Sequence, residues 1–151
     1  MPSTQAGFKT GKNGLSAADL LVDLGPTVLV DIGLRSRSGS GSPPDLAEKR
    51  IKALIDTGAG GDCIDNDLAV RLNLPVTDEG EISGVGGRQH AFIYTARVYV
   101  PKLDRLLFQR FTGVRLQDGG QWHRLILGRT FLRQYRFNYD GASGQVELST
   151  L

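Results

Sequence analysis

Cysteine is almost missing from this chain: Cys63 is the only one in 151 residues, so no intrachain disulfide can form. That fits a reducing compartment. Only two histidines occur, His90 and His123, and no Cys, His or Asp spacing matches a metal site. Neither a metal nor an organic cofactor is expected. No run of ~18 consecutive apolar residues is present, which excludes a membrane-spanning helix. The opening MPSTQAGFKTGKNG lacks the apolar stretch of a secretory signal. A soluble, cytoplasmic protein without a membrane partner is the expectation. Charge of one sign is also scarce, with a formal net charge of +2. Residues 1–96 hold nine basic against twelve acidic residues, a net −3, and residues 97–151 hold nine against four, a net +5. The arginines of the second part stand singly in apolar text and form no basic run, so no nucleic-acid partner is expected.

Glycine, by contrast, is abundant at 20 residues, while aromatics reach only 7% and apolar residues 40%. Glycine supplies the positive-φ positions of tight turns, so the mixture favours a turn-rich β protein over a helical bundle. Residues 1–26 are expected as an N-terminal segment, with 1–14 a loose tail and Leu15–Leu24 either a short helix capped by Ser16 or an extended edge. The domain proper is expected over 27–151. Within it, TVLVDIGL (27–34) and RIKALID (50–56) read as strands, the second with Ile51, Ala53 and Ile55 on one face. The Ser-, Gly- and Pro-rich text between them predicts a flexible loop over 35–48. Residues 66–74 suit a short helix closed by Pro75. The segments 91–101, 106–116 and 122–128 read as strands, with Trp122 in the core. Residues 129–134 suit another short helix, and 136–140 and 145–149 form a last hairpin about Gly141–Gly144. Many short strands and one or two short helices predict an all-β, small closed fold.

The sharpest local signal is Ala53-Leu54-Ile55-Asp56-Thr57-Gly58-Ala59. An apolar strand delivers a carboxylate to a tight glycine turn. Burying a lone charge is costly, so Asp56 is a satisfied buried acid, a turn cap or a catalytic acid. Asp-Thr-Gly alone is weak, since it arises by chance in roughly one chain in thirty of this length. Two further elements stand in order behind it: the glycine-rich tip Ile82-Ser83-Gly84-Val85-Gly86-Gly87, and Leu125-Ile126-Leu127-Gly128-Arg129. Cys63, beside apolar Ile64, reads as a small buried residue rather than a nucleophile.

Taken in this order, the trio resembles the retroviral-type (retropepsin-like) aspartic proteases, over about residues 49–140. The closing FLRQYRFNYDGASGQVEL resembles the cellular and bacterial single-domain members more than the viral ones. The resemblance implies a closed retropepsin-type β-barrel in which Asp56 is the catalytic acid. Thr57 matches the position whose hydroxyl braces two such loops across a dimer axis, and Gly58 and Ala59 match positions lining the cleft. The hairpin over 80–92, with Ile82, Gly84, Val85, Gly86 and Gly87 at its tip, matches the flap over an extended polypeptide substrate. Leu127, Gly128 and Arg129 match the structural segment behind the loop. One departure is visible: Gly60-Gly61 stand where viral members often carry acidic residues. Arg129 then lacks its loop carboxylate, and Asp62 and Asp65 are the candidates to replace it.

Aspartic proteolysis needs two carboxylates within reach of one water, and like charges ~3 Å apart hold one proton between them. The chain carries one Asp-Thr-Gly and is too short for two fused lobes. An active homodimer is therefore expected, since a two-fold axis supplies the second Asp56. The rival reading is a non-proteolytic dimeric module that binds extended peptides.

Overall fold

The computed structural model describes residues 1–9, 14–39 and 43–151. A short strand, β1 (Ser3–Gln5), leads to helix α1 (Ala17–Leu24). Strands β2 (Thr27–Gly33), β3 (Glu48–Ile55) and β4 (Asp62–Asp65) follow, then helix α2 (Asn66–Arg71). A long hairpin comes next, β5 (Val76–Gly84) and β6 (Gly87–Val100), then β7 (Arg105–Val114) and β8 (Leu125–Leu127). Helix α3 (Arg129–Leu132) precedes a final hairpin of β9 (Tyr135–Asp140) and β10 (Gln145–Thr150).

Six strands close on themselves in the order β2-β3-β8-β4-β7-β6, with β6 pairing back to β2 through Asp31–Tyr99, Ile32–Val98 and Gly33–Arg97. The fold is the small closed all-β barrel expected, with β5 added outside β6. Closure removes the free edges that an open sheet of this size would expose. Inside it Val28, Val30, Ile32, Ala53, Ile55, Ile64, Phe111, Leu125 and Leu127 are buried. They recur at every second residue because successive strand side chains alternate faces. Two of the six pairings, β3–β8 and β4–β7, are parallel, and β4 also pairs antiparallel with β8. The strands β3 and β4 flank β8 on either side, so the loop joining them must cross the C-terminal end of β8.

The N-terminal segment is part of the fold, a correction to the loose tail expected over 1–14. Strand β1 pairs antiparallel with β10 from Ser3–Ser149 to Gln5–Glu147. Ala6 is fully buried; its N–H donates to the Val146 carbonyl at 2.8 Å and its carbonyl accepts from Thr27 N–H at 2.8 Å. Between the two open alternatives for Leu15–Leu24 the structure has the helix. Ser16 caps it, accepting from Asp19 N–H at 3.1 Å while the Asp19 carboxylate reaches back to Ser16 N–H. Residues 10–13 of the expected tail lie outside the described residues.

Other boundaries moved for physical reasons. Part of the loop predicted over 35–48 lies outside the described residues, at 40–42. In the remainder Leu46 is fully buried and Asp45 pairs with Arg37 at 3.1 Å and Lys49 at 2.8 Å. The strand expected over 122–128 is only Leu125–Leu127, and Trp122 is 39% exposed rather than core. It lies beneath Lys52, whose ammonium is 4.4 Å from the ring centre. Among the described residues there are three short α-helices, where one or two were expected, and one 3-10 turn at Pro101–Leu103. No helix is long and apolar enough to cross a membrane.

Candidate active site

Strand β3 ends on Asp56, whose N–H donates to the Leu127 carbonyl at 2.9 Å, so the ladder with β8 holds the residue itself. The side chain is half-buried. Its Oδ1 accepts from Gly58 N–H at 2.8 Å, the turn-capping geometry that short acidic side chains favour. No second hydrogen bond to this carboxylate is made among the described residues. One oxygen of Asp56 thus orders the turn, as the capping reading has it.

The loop after Asp56 is held from behind by the start of α3. Gly128 follows β8 as the α3 N-cap. A Cβ built there would meet the Ala59 carbonyl oxygen at 2.7 Å and the Gly61 oxygen closer still. Only glycine lets the two backbones approach this far. The next two residues then donate into the loop. Arg129 N–H reaches the Ala59 carbonyl at 2.9 Å, and Thr130 gives its N–H at 3.0 Å and its hydroxyl at 2.9 Å to the Gly60 carbonyl. The Arg129 guanidinium donates from Nη1 to the Thr57 carbonyl at 2.8 Å. Thus the structure brings Asp56, Thr57, Gly58 and Ala59 on one side together with Leu127, Gly128 and Arg129 on the other.

The replacement partner expected for Arg129 does not exist. Neither Asp62 nor Asp65 pairs with it, because both are turned into the fold. Asp62, 3% exposed, accepts from Gly128 N–H at Oδ1 (2.8 Å) and from Gln109 Nε2 at Oδ2 (2.9 Å). Asp65 Oδ1 accepts from the backbone N–H groups of Leu116 and Gln117. Burial raises the Asp62 carboxyl to about 6, a rise that the Gly128 and Gln109 donors partly oppose. Burial, with the charges of Asp62 and Asp56, pushes the Cys63 thiol to about 11, so it stays protonated and unreactive at neutral pH. The sequence reading missed Gln109 and Thr130. Thr130 stands next to a motif already singled out, whereas Gln109 reaches Asp62 only through the parallel β4–β7 pairing.

Strands β5 and β6 pair from Val76–Tyr94 to Gly84–Gly87. Val85 and Gly86 form the two-residue tip; Val85 is fully exposed, and Gly87 has φ +92°, a conformation that only glycine adopts freely. Ile82 is half-buried and, opposite Gln89, lines a pocket of about 530 Å³ with Asn66, Gly113 and Arg115. Among the described residues the tip makes no hydrogen bond to the Asp56 loop, and no group of three or more His, Cys, Asp or Glu side chains is placed to hold a metal ion.

A closed six-stranded barrel, an Asp-Thr-Gly-Ala loop crossing one of its strands and a Gly-Arg turn bracing that loop define a retropepsin-like aspartic protease fold. The chain belongs to the gag-polyprotein putative aspartyl protease family, whose model matches residues 45–134. No curated protein matches it. Among solved structures it is similar to the EIAV protease, solved with an inhibitor, at 23% identity and TM-score 0.46 over 72% of this chain and 85% of that one. It is similar to the Simian Foamy Virus protease at 14% identity and TM-score 0.45, over 71% and 91% of the two chains. A retropepsin-like aspartic protease from Rickettsia conorii matches at 19% identity and TM-score 0.48, over 80% and 90%.

Proposed function

We propose that this chain is an aspartic endopeptidase, active as a two-fold homodimer in which each subunit contributes Asp56. The observation that carries the reading is the Asp56 carboxylate: half-buried, with one oxygen fixed by Gly58 N–H and the other free, on a loop braced by α3. Two such carboxylates facing each other share one proton, because both cannot ionise at ~3 Å. The ionised member takes a proton from a water lying between them while the protonated member donates to the scissile carbonyl oxygen. Water oxygen adds to the carbonyl carbon, giving a tetrahedral gem-diol. Collapse breaks the C–N bond, with the proton taken from water delivered to the leaving nitrogen and the other returned to the pair.

Thr57 braces the two loops across the axis, and Gly58 and Ala59 line the cleft with backbone rather than bulk. The hairpin tip, Ile82 with Gly84, Val85, Gly86 and Gly87, closes over an extended polypeptide and lies against it as an added strand. Retention of Asp56 and Thr57 together favours catalysis over peptide binding alone.

The experiment is cleavage of an unstructured peptide library from pH ~3 to ~7, where a shared-proton pair titrates. Wild type and Asp56→Asn are compared at a concentration that keeps the dimer. Cuts present in wild type and lost in Asp56→Asn support the reading. A folded, dimeric wild type that makes no cuts overturns it in favour of a peptide-binding module.

A further inference from the structure

Asp62 opens β4 at 3% exposure, and the reaction proposed above gives it no part. Holding a carboxylate so far from solvent works against stability unless its oxygens are satisfied. Both are: Gly128 N–H donates to Oδ1 and the Gln109 amide to Oδ2. Gly128 is the residue from which α3 starts, and the following Arg129 and Thr130 hold the carbonyls of Thr57, Ala59 and Gly60. Carboxyl, Gly128, Arg129–Thr130 and loop form one continuous path of hydrogen bonds that ends next to Asp56. Asp62 and Gln109 also line a pocket of about 490 Å³ shared with Gly61 and Thr130.

We propose that Asp62 is a positioning residue for the Asp56 loop, acting through Gly128 N–H, and that Gln109 lets it act in both of its protonation states. The inference rests on the protease reading for its effect on rate, though not for the joint itself. Ionised, Asp62 accepts from both neighbours as seen. Neutral, it keeps Oδ1 on Gly128 and donates its Oδ2 proton to Gln109 Oε1 once that amide turns end for end, since a primary amide offers a donor on one side and an acceptor on the other. The joint then survives the acid range in which a carboxylate pair works, a range that includes the Asp62 value of about 6.

The charged and titratable groups nearby are Asp56 on the loop, Cys63 and Asp65 on β4, Arg110 on β7 and Arg129 on α3. Arg110 is turned to Asp78 at 3.2 Å, Arg129 to the Thr57 carbonyl, and Asp65 to the Leu116 and Gln117 N–H groups. None of them bonds to Asp62, so burial and its two neutral partners govern it.

The first arm of the test follows backbone amide resonances from pH ~4 to ~8, a window around the shifted carboxyl. In wild type the Gly128 amide proton titrates with a midpoint near 6, and the Thr57 and Ala59 amides move with it. In Asp62→Asn this titration is absent, and in Gln109→Met, which loses one donor to the charged form, the midpoint rises. The second arm measures kcat and KM on a cleaved peptide. Asp62→Ala lowers kcat roughly tenfold or more with little change in KM, whereas Asp62→Asn, whose amide oxygen still accepts from Gly128, recovers to within roughly threefold of wild type. A Gly128 amide that does not titrate in wild type overturns the proposal, as does wild-type kcat in Asp62→Ala. Equal damage in Asp62→Asn and Asp62→Ala also overturns it. If Asp62→Ala does not fold, the amide resonances of Asp62→Asn and Gln109→Met decide. An inactive wild type sinks the protease reading instead, and the co-titration of Thr57 and Ala59 with Gly128 then decides the joint separately.

Discussion

Arg129 Nη1 donates to the carbonyl oxygen of Thr57 at 2.8 Å, joining residues 72 apart in the chain. The acceptor is a neutral backbone group rather than a carboxylate, because Gly60 and Gly61 supply no side chain and Asp62 and Asp65 point elsewhere. Arg129→Met removes this donor and is expected to lower stability by about 1 kcal/mol, the scale of a solvent-accessible charge-assisted hydrogen bond. Because no ion pair is involved, the loss should be the same at low and high salt, where a surface ion pair would be screened. Thermal unfolding of both proteins at two ionic strengths checks this. A difference that shrinks in salt would show that the guanidinium is paired with an acid after all.

Asp62 makes a prediction about stability that is separate from its effect on the loop. Its folded-state value is raised from 3.8 to about 6, chiefly by burial. Unfolding therefore releases a proton over that interval, and the contribution of this group to stability is full below pH ~4 and is lost as pH rises through about 6. Asp62→Asn cannot ionise and escapes the loss. Its stability relative to wild type should climb between pH ~4 and ~6 by up to ~3 kcal/mol and then level off. Denaturant unfolding at pH steps reads the difference directly. A difference that stays flat across the interval is incompatible with a buried carboxyl that ionises there.

Contiguous signals were the legible part. Ala53, Ile55 and Asp56 announce a strand and its loop because they lie within one alternating run, and Leu127-Gly128-Arg129 announces the brace because a strand end, a close approach and a donor are adjacent in sequence. Strand β4 was invisible. Asp62 and Asp65 put two acids into four residues, and nothing local says that Gly128, Gln109 and Leu116 supply the donors that make them burial-competent. The first half of strand β5, ahead of the hairpin expected over 80–92, was hidden for the opposite reason: of Val76–Gly84 only Gly80 and Ile82 are even half-buried, so no alternation marks it, and its pairing is imposed by β6. The N-terminal strand shows no pattern either. Its place follows from an edge of β10 that needs covering, more than a hundred residues away.

That edge carries the next prediction. Residues 1–9 supply the β1 ladder, the paired Ala6 N–H and carbonyl, and the Pro2 carbonyl that accepts from Thr150 N–H at 3.1 Å. Their removal exposes the β10 edge beside the buried side chains of Val146 and Leu148. Several net hydrogen bonds and some apolar burial are lost together, for an expected fall of at least ~2 kcal/mol. A bare strand edge also templates association, so light scattering should rise at concentrations where the full chain stays dispersed. Chemical denaturation of the shortened chain supplies the check, and an unchanged midpoint would show that β1 only rests on the sheet.

If two Asp56 side chains make one site, catalysis must follow the law of mass action for dimers. At enzyme concentrations well below the dissociation constant the rate rises with the square of the chain concentration, and above it the rate becomes linear. Subunit mixing is the sharper form of this prediction. A chain with Asp56→Asn still pairs, yet a mixed dimer carries one carboxylate and cannot hold a proton between two. In an equal mixture after exchange, about half of the dimers are mixed and about a quarter are wild type, so the activity per wild-type chain should fall to about half. Larger excesses of Asp56→Asn should drive it toward zero. The assay needs only time for exchange and a single cleaved peptide. Activity per wild-type chain that stays constant as Asp56→Asn is added, in chains shown by light scattering to be dimeric and exchanging, would mean that each subunit holds a complete site of its own.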